Sequence, residues 1–208
     1  RLTKAFPEVL EDSSSRYQSW EVVDPERWVP YGYAVVRVDS CGAGRSPGFA
    51  SPLDPRETKD YYNCIEWAGT QPWSNSKVGT SGISYYAINQ WQVAALRPPH
   101  LAAMIPWEGF SDFYRDCSRH GGILSEFWPN WFERRFTPLQ HGVGSRGRIN
   151  PNTGVEACGP DTLSEDELRA NRVDMRAMLK EHTLDDDFYA QYTPDLSRIE
   201  VPFLSCGN

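Results

Sequence analysis

Between residues 33 and 107, three short apolar runs alternate with two segments of helical period. No other feature limits the fold as much. The runs are YAVVRVD (33–39), KVGTSG (77–82) and LAAMIPW (101–107). The first is rich in β-branched residues and predicts a strand buried on both faces. LDPRETKDYYNCIEWAGTQ (53–71) follows it, with Asp54 as cap, Pro55 at the first helical position and Glu57 completing a capping box. Tyr61, Ile65 and Ala68 then recur at helical spacing. YYAINQWQVAALR (85–97) predicts a second helix, closed by Pro98 and Pro99. An earlier pair, Asp24 and Pro25, starts a short helix by the same signal. Strand, helix, strand, helix, strand in this order implies a parallel sheet with right-handed crossovers. The expected class is α/β.

After Trp107 the texture changes. Residues 113–190 show no clear strand, and FYRDCSRHGGILSEFWPNWFERRF is aromatic and broken by Gly and Pro. SEDELRANRVDMRAMLKEH (164–182) predicts one helix, with Ser164 and Glu167 as a capping box. VPFLSCG (201–207) returns to strand character. The expected organisation is a core over 1–112, a helical cap insertion over 113–190 and a return to the core sheet over 191–208. The start at Arg1 and the apolar run cut at Asn208 predict the interior of a longer protein.

Composition narrows the function. A net charge of −7 argues against a nucleic-acid partner, which needs a clustered positive surface. No apolar run approaches the roughly 18 residues of a membrane span. The five cysteines lack metal-ligand spacing. Cys41, Cys64 and Cys206 read as free thiols, and Cys117 and Cys158 are candidates for a pair. A reducing, cytoplasmic setting is the expectation.

The chemistry centres on SGISYY (81–86). Ser84 stands where a predicted strand meets a predicted helix, with Gly82 two residues before it. A nucleophile elbow, G-x-S-x-G, has this strand–turn–helix setting, which lifts the serine hydroxyl above the sheet edge. The helix N-terminus favours developing negative charge there, and the next backbone N–H, that of Tyr85, can donate to an oxyanion. Tyr86 replaces the second glycine, so the bare pattern is half complete. In DSCGAGRS (39–46), Gly42, Gly44 and Gly48 do not give the spacing of a dinucleotide-binding loop.

GISYYAINQWQ (82–92) follows QPWSNSKVG, with YGYAVVRVDSCGAGRSPG upstream and IPWEGFSDFYRD downstream. Together these resemble the cocaine-esterase-like (CocE/NonD) hydrolases. That family is akin to the X-Pro dipeptidyl-peptidases and the α-amino acid ester hydrolases. The resemblance runs from about residue 17 to 208, through Gly82, Ser84, Tyr85, Ala87, Gln90 and Trp91 around the serine. It implies an α/β-hydrolase fold, a mostly parallel sheet with helices on both faces and a helical cap. It implies a serine esterase or amidase without metal or cofactor, acting on a small-molecule substrate. Ser84 would be the nucleophile and the Tyr85 N–H one oxyanion donor. The family's second donor, a tyrosine hydroxyl before the YGYAVV strand, has no matching motif here. Its aspartate and histidine are expected beyond Asn208. Cys41 stands where the family usually has arginine, which removes a charge beside Asp39.

His100, His120, His141 and His182 are weaker candidates for a base, and Glu108 and Asp112 for an acid. Phe127, Trp128, Trp131 and Phe132 form core or wall an acyl pocket. Two further readings stand beside the esterase: an X-Pro dipeptidyl-peptidase activity, and an α/β-hydrolase-like protein that binds without catalysis. Oligomeric state is not legible.

Overall fold

The structure, a computed structural model, describes residues 6–151, 153–159 and 162–207. Arg1 and Asn208 lie outside them. Helix α1 (Pro25–Trp28) starts where Asp24 accepts from the Glu26 N–H at 3.0 Å. Helix α2 (Pro55–Gly69) starts where Asp54 accepts from the Glu57 N–H at 2.8 Å. Strand β1 (Val78–Ile83) leads through Ser84 into helix α3 (Tyr85–Ala94), which returns to strand β2 (Leu101–Trp107). β1 and β2 pair in parallel, with Gly82 opposite Pro106 and Ile83 opposite Trp107. The 201–207 segment continues the sheet on the far side of β2, through parallel bridges from Met104 to Phe203 and from Trp107 to Cys206.

The first expected strand does not form. Residues 33–38 are extended, but Tyr33, Val36 and Val38 are exposed, by 57%, 43% and 58%. A strand exists only through a hydrogen-bonded neighbour, and these residues have none among the described residues. Arg37 ties the segment down by a side-chain bond to the Val23 carbonyl at 3.1 Å. The loop that follows is held without an arginine at 41, because Asp39 accepts from the Arg45 N–H at 2.9 Å.

Residues 113–190 differ from expectation in two ways. A two-residue hairpin pairs β3 (Arg119–His120) with β4 (Ile123–Leu124). The helix expected over 164–182 is two, α5 (Glu165–Ala170) and α6 (Met175–Glu181), after α4 (Phe127–Trp131) and before α7 (Asp187–Ala190). The break has a tertiary cause: the Ala50 N–H donates to Asn171 at 2.8 Å and the Val173 N–H to Ala50 at 3.0 Å. These bridges pull the backbone out of the helix, and Asp174 caps a new one on the Ala177 N–H. Cys117 and Cys158 are free thiols in separate apolar clusters and do not pair. The larger cluster joins Leu53 and Ile88 to Phe113, Trp128, Phe132 and Tyr189 of the 113–190 stretch. Trp128 and Phe132 are therefore core, whereas Phe127 is 66% exposed. Among the described residues, no helix is long and apolar enough to cross a membrane.

Candidate active site

Ser84 links β1 to α3 with φ 59° and ψ −116°. A serine held at positive φ carries a strain on the order of 1–3 kcal/mol, which the surroundings must sustain. Its side chain does not cap α3, unlike those of Asp54 and Ser164 on their helices. The residue is exposed, and its hydroxyl has no hydrogen-bond partner among the described residues. The backbone is anchored instead. The Ser84 N–H donates to Trp107 at 2.8 Å, and the Ser84 carbonyl accepts from Ala87 at 2.9 Å and Ile88 at 3.0 Å. The Tyr85 N–H is one of the first-turn donors that a helix leaves open.

The turn is possible because of what lies beneath it. A Cβ on Gly82 would collide with Tyr86 and come within 3.3 Å of the Glu21 carbonyl. The fully buried Gln90 spans three elements. Its amide donates to the Tyr86 carbonyl at 2.8 Å, and its Oε1 accepts from Thr80 of β1 at 3.1 Å and from the Ile105 N–H of β2 at 3.2 Å. Gln92 donates to the Leu53 carbonyl at 2.9 Å and to the Tyr192 carbonyl at 3.0 Å.

Glu57 has a larger part than its place in a capping box suggests. Its carboxylate turns away from the Asp54 N–H and is 5% exposed. It accepts from the Leu53 N–H at 2.6 Å, from the Tyr85 hydroxyl at 2.7 and 2.5 Å, and from Asn89 at 3.3 Å. Burial pushes the carboxyl above its ordinary range, against the pull of its hydrogen bonds from Ser40, Tyr85 and Leu53. The Tyr85 hydroxyl is also pushed up, first by burial and then by the Glu57 charge. A signal for this existed in the sequence: Glu57 is four residues before Tyr61 and so extends the Tyr61, Ile65, Ala68 stripe.

The weaker candidates for base and acid make no hydrogen bond to Ser84 among the described residues. His100 Nδ1 lies 2.8 Å from Glu66, on α2. His120 Nε2 lies 2.9 Å from the Asp116 carbonyl, and His141 Nδ1 3.2 Å from the Gly44 carbonyl. His182 lies 3.2 Å from Asp186 and stacks on Phe188. Asp112 caps the Arg115 N–H and pairs with its guanidinium at 2.7 Å. Glu108 is exposed at φ 57°, its N–H donating to Cys206. A cleft of ≈ 420 Å³ opens beside Trp91, Pro106, Phe110 and Cys206, and Ser84 is not in its wall. No group of three or more His, Cys, Asp or Glu that could hold a metal occurs among the described residues.

A parallel sheet with an exposed, left-handed serine between strand and helix defines a protein of the α/β-hydrolase class. The sequence model of the X-Pro dipeptidyl-peptidase (S15) family matches residues 4–208, and the chain belongs to that family. It is 35% identical over 96 residues to the cocaine esterase of Rhodococcus sp. (strain MB1 Bresler), covering 45% of this chain and 16% of that one. It is 26% identical over 113 residues to an Xaa-Pro dipeptidyl-peptidase of Streptococcus pneumoniae (strain Hungary19A-6), covering 47% of this chain and 15% of that one. The crystal structure of a CocE/NonD family hydrolase from Staphylococcus aureus superposes with a TM-score of 0.69 at 41% identity, covering 89% of this chain and 29% of that one. The chain thus spans less than a third of the length of each of these relatives.

Proposed function

We propose that the full-length protein is a serine hydrolase that cleaves a small-molecule ester or amide through an acyl-enzyme on Ser84. The observation that carries this reading is the exposed, uncapped hydroxyl on a serine at positive φ. In the reaction, Ser84 Oγ attacks the carbonyl carbon and gives its proton to a base. The carbonyl oxygen becomes an oxyanion and accepts a hydrogen bond from the Tyr85 N–H, at the positive end of α3. Collapse expels the alcohol or amine, which takes that proton from the base, and water then hydrolyses the acyl-serine to the free acid and Ser84. The base and its acid are assigned, from the family resemblance, to residues outside this chain. The family match and the peptidase relative also support an X-Pro dipeptidyl-peptidase activity on the same serine.

The test is fluorophosphonate labelling of the full-length protein. The expected result is labelling that Ser84→Ala abolishes. Equal labelling of the alanine variant would overturn the assignment. Turnover of p-nitrophenyl acetate against an Ala-Pro p-nitroanilide then separates esterase from peptidase.

A further inference from the structure

We infer that Tyr85 works through both ends of the residue: its side chain, clamped between Glu57 and Trp131, sets where its backbone N–H points. This rests on the proposed acyl-enzyme reading. Glu57 and Trp131 are then positioning residues, acting through Tyr85 rather than on the substrate.

Three observations meet at this residue. Its hydroxyl donates to both oxygens of the buried Glu57 carboxylate, which α2 supplies from below. Its ring stacks on Trp131 of the cap, with centroids 5.6 Å apart and planes 14° apart. Trp131 in turn stacks on the buried Trp128 at 4.8 Å and 4°. The side chain of the first residue of α3 is therefore fixed on one side by the core and on the other by the cap.

The energetics favour a role beyond stability. A buried carboxylate is costly, and apolar residues of similar size fill such a site as well or better. The donors around Glu57 are a backbone N–H, a phenol, an amide and the Ser40 hydroxyl, all neutral. What they do is pin Tyr85 next to a strained serine. The peptide between Ser84 and Tyr85 turns about the ψ of one and the φ of the other. Fixing the Cα–Cβ direction of Tyr85 fixes that φ, and with it the direction of its N–H. An oxyanion donor acts at short range, so a small tilt is read in the rate. Through Trp131 the same alignment depends on how the cap is seated.

The experiment measures kcat and KM of the full-length protein on p-nitrophenyl acetate, with active sites counted by fluorophosphonate titration so that misfolded molecules drop out. Tyr85→Phe keeps the backbone donor and loses the clamp. It should lower kcat per titrated site about tenfold, with KM within roughly twofold. Trp131→Ala should do the same. Glu57→Ala should cost about 30-fold, and Glu57→Gln, which keeps an acceptor for the phenol, should recover most of that. Wild-type kcat per site in Tyr85→Phe and Trp131→Ala would overturn the inference, whatever their melting temperatures. So would a rise in KM alone. Labelling that survives Ser84→Ala would strike the nucleophile assignment itself, and so tells the two failures apart.

Discussion

Residues 33–38 and residues 78–83 are both extended, and they differ in what holds them. The second segment pairs with β2 in parallel, in unbroken register from Gly79 to Ile83, and carries α3 on its end. Thr80 and Gly82 are buried, and Gln90 reaches back to the strand through the Thr80 hydroxyl. The first segment is the more apolar, yet its valines at 36 and 38 face solvent. Apolar character alone does not make a strand. The second segment is held by polar groups reaching across from other elements, and the strained Ser84 depends on that bracing.

The largest effect should come from cutting the brace. Gln90→Leu leaves the Ile105 N–H without its acceptor and the Thr80 hydroxyl without the acceptor of its proton, both in or near the core. Two such losses should destabilise the fold by about 3 kcal/mol, read as a lower unfolding midpoint in urea. A shift under about 1 kcal/mol would show that the sheet, not the amide, holds the turn. Gly82→Ala should follow at about 2 kcal/mol, because its methyl group meets Tyr86 and the Glu21 carbonyl in a site without room.

How much of this was legible follows the same division. Local signals agreed for α2, α3 and β2: Asp54 and Pro55 start one helix, Pro98 lies past the end of another, and LAAMIPW (101–107) is β2 in full. The setting of Ser84 was legible too, because a glycine before it and a helical period after it need no distant partner. What failed was non-local. The 33–38 run needed a neighbour, and the 164–182 helix is broken by Ala50, more than a hundred residues upstream. The carboxylate of Glu57 had a local use in a capping box, and a tertiary one with Tyr85 displaced it. Each of the four histidines has a ring nitrogen within hydrogen-bond distance of a group other than Ser84.

A third test contrasts the two segments through pH. Glu57 holds Tyr85, two residues past the braced one, and burial raises its carboxyl above the ordinary 4.5. The folded chain therefore keeps this proton at pH values where the unfolded chain has lost it. Linkage then gives the sign: the contribution is complete below 4.5 and declines as pH rises through the folded value. Glu57→Gln should flatten that decline in urea melts taken at successive pH values, and an unchanged slope would assign it to other groups. Hydrogen exchange should show the same contrast residue by residue. The amides of Met104 and Ile83, bonded to Pro202 and Glu21, should exchange slowly, and those of 34–38 fast.

The smallest effect is the one that most directly opposes the two segments. Val38→Thr swaps a methyl for a hydroxyl at nearly constant shape and keeps the β-branch. On a strand buried on both faces, that hydroxyl would lose water without gaining a partner and cost about 1–3 kcal/mol. Val38 is 58% exposed, so here the hydroxyl keeps its water and the change should stay within about 0.5 kcal/mol. The same substitution in the full-length protein gives the sharper reading. If residues 33–38 gain strand neighbours there, Val38→Thr should become costly while Gln90→Leu costs the same in both. Near-neutral behaviour of Val38→Thr in both proteins would mean that this apolar run is a surface segment by design, and that β1 and β2 hold Ser84 without it.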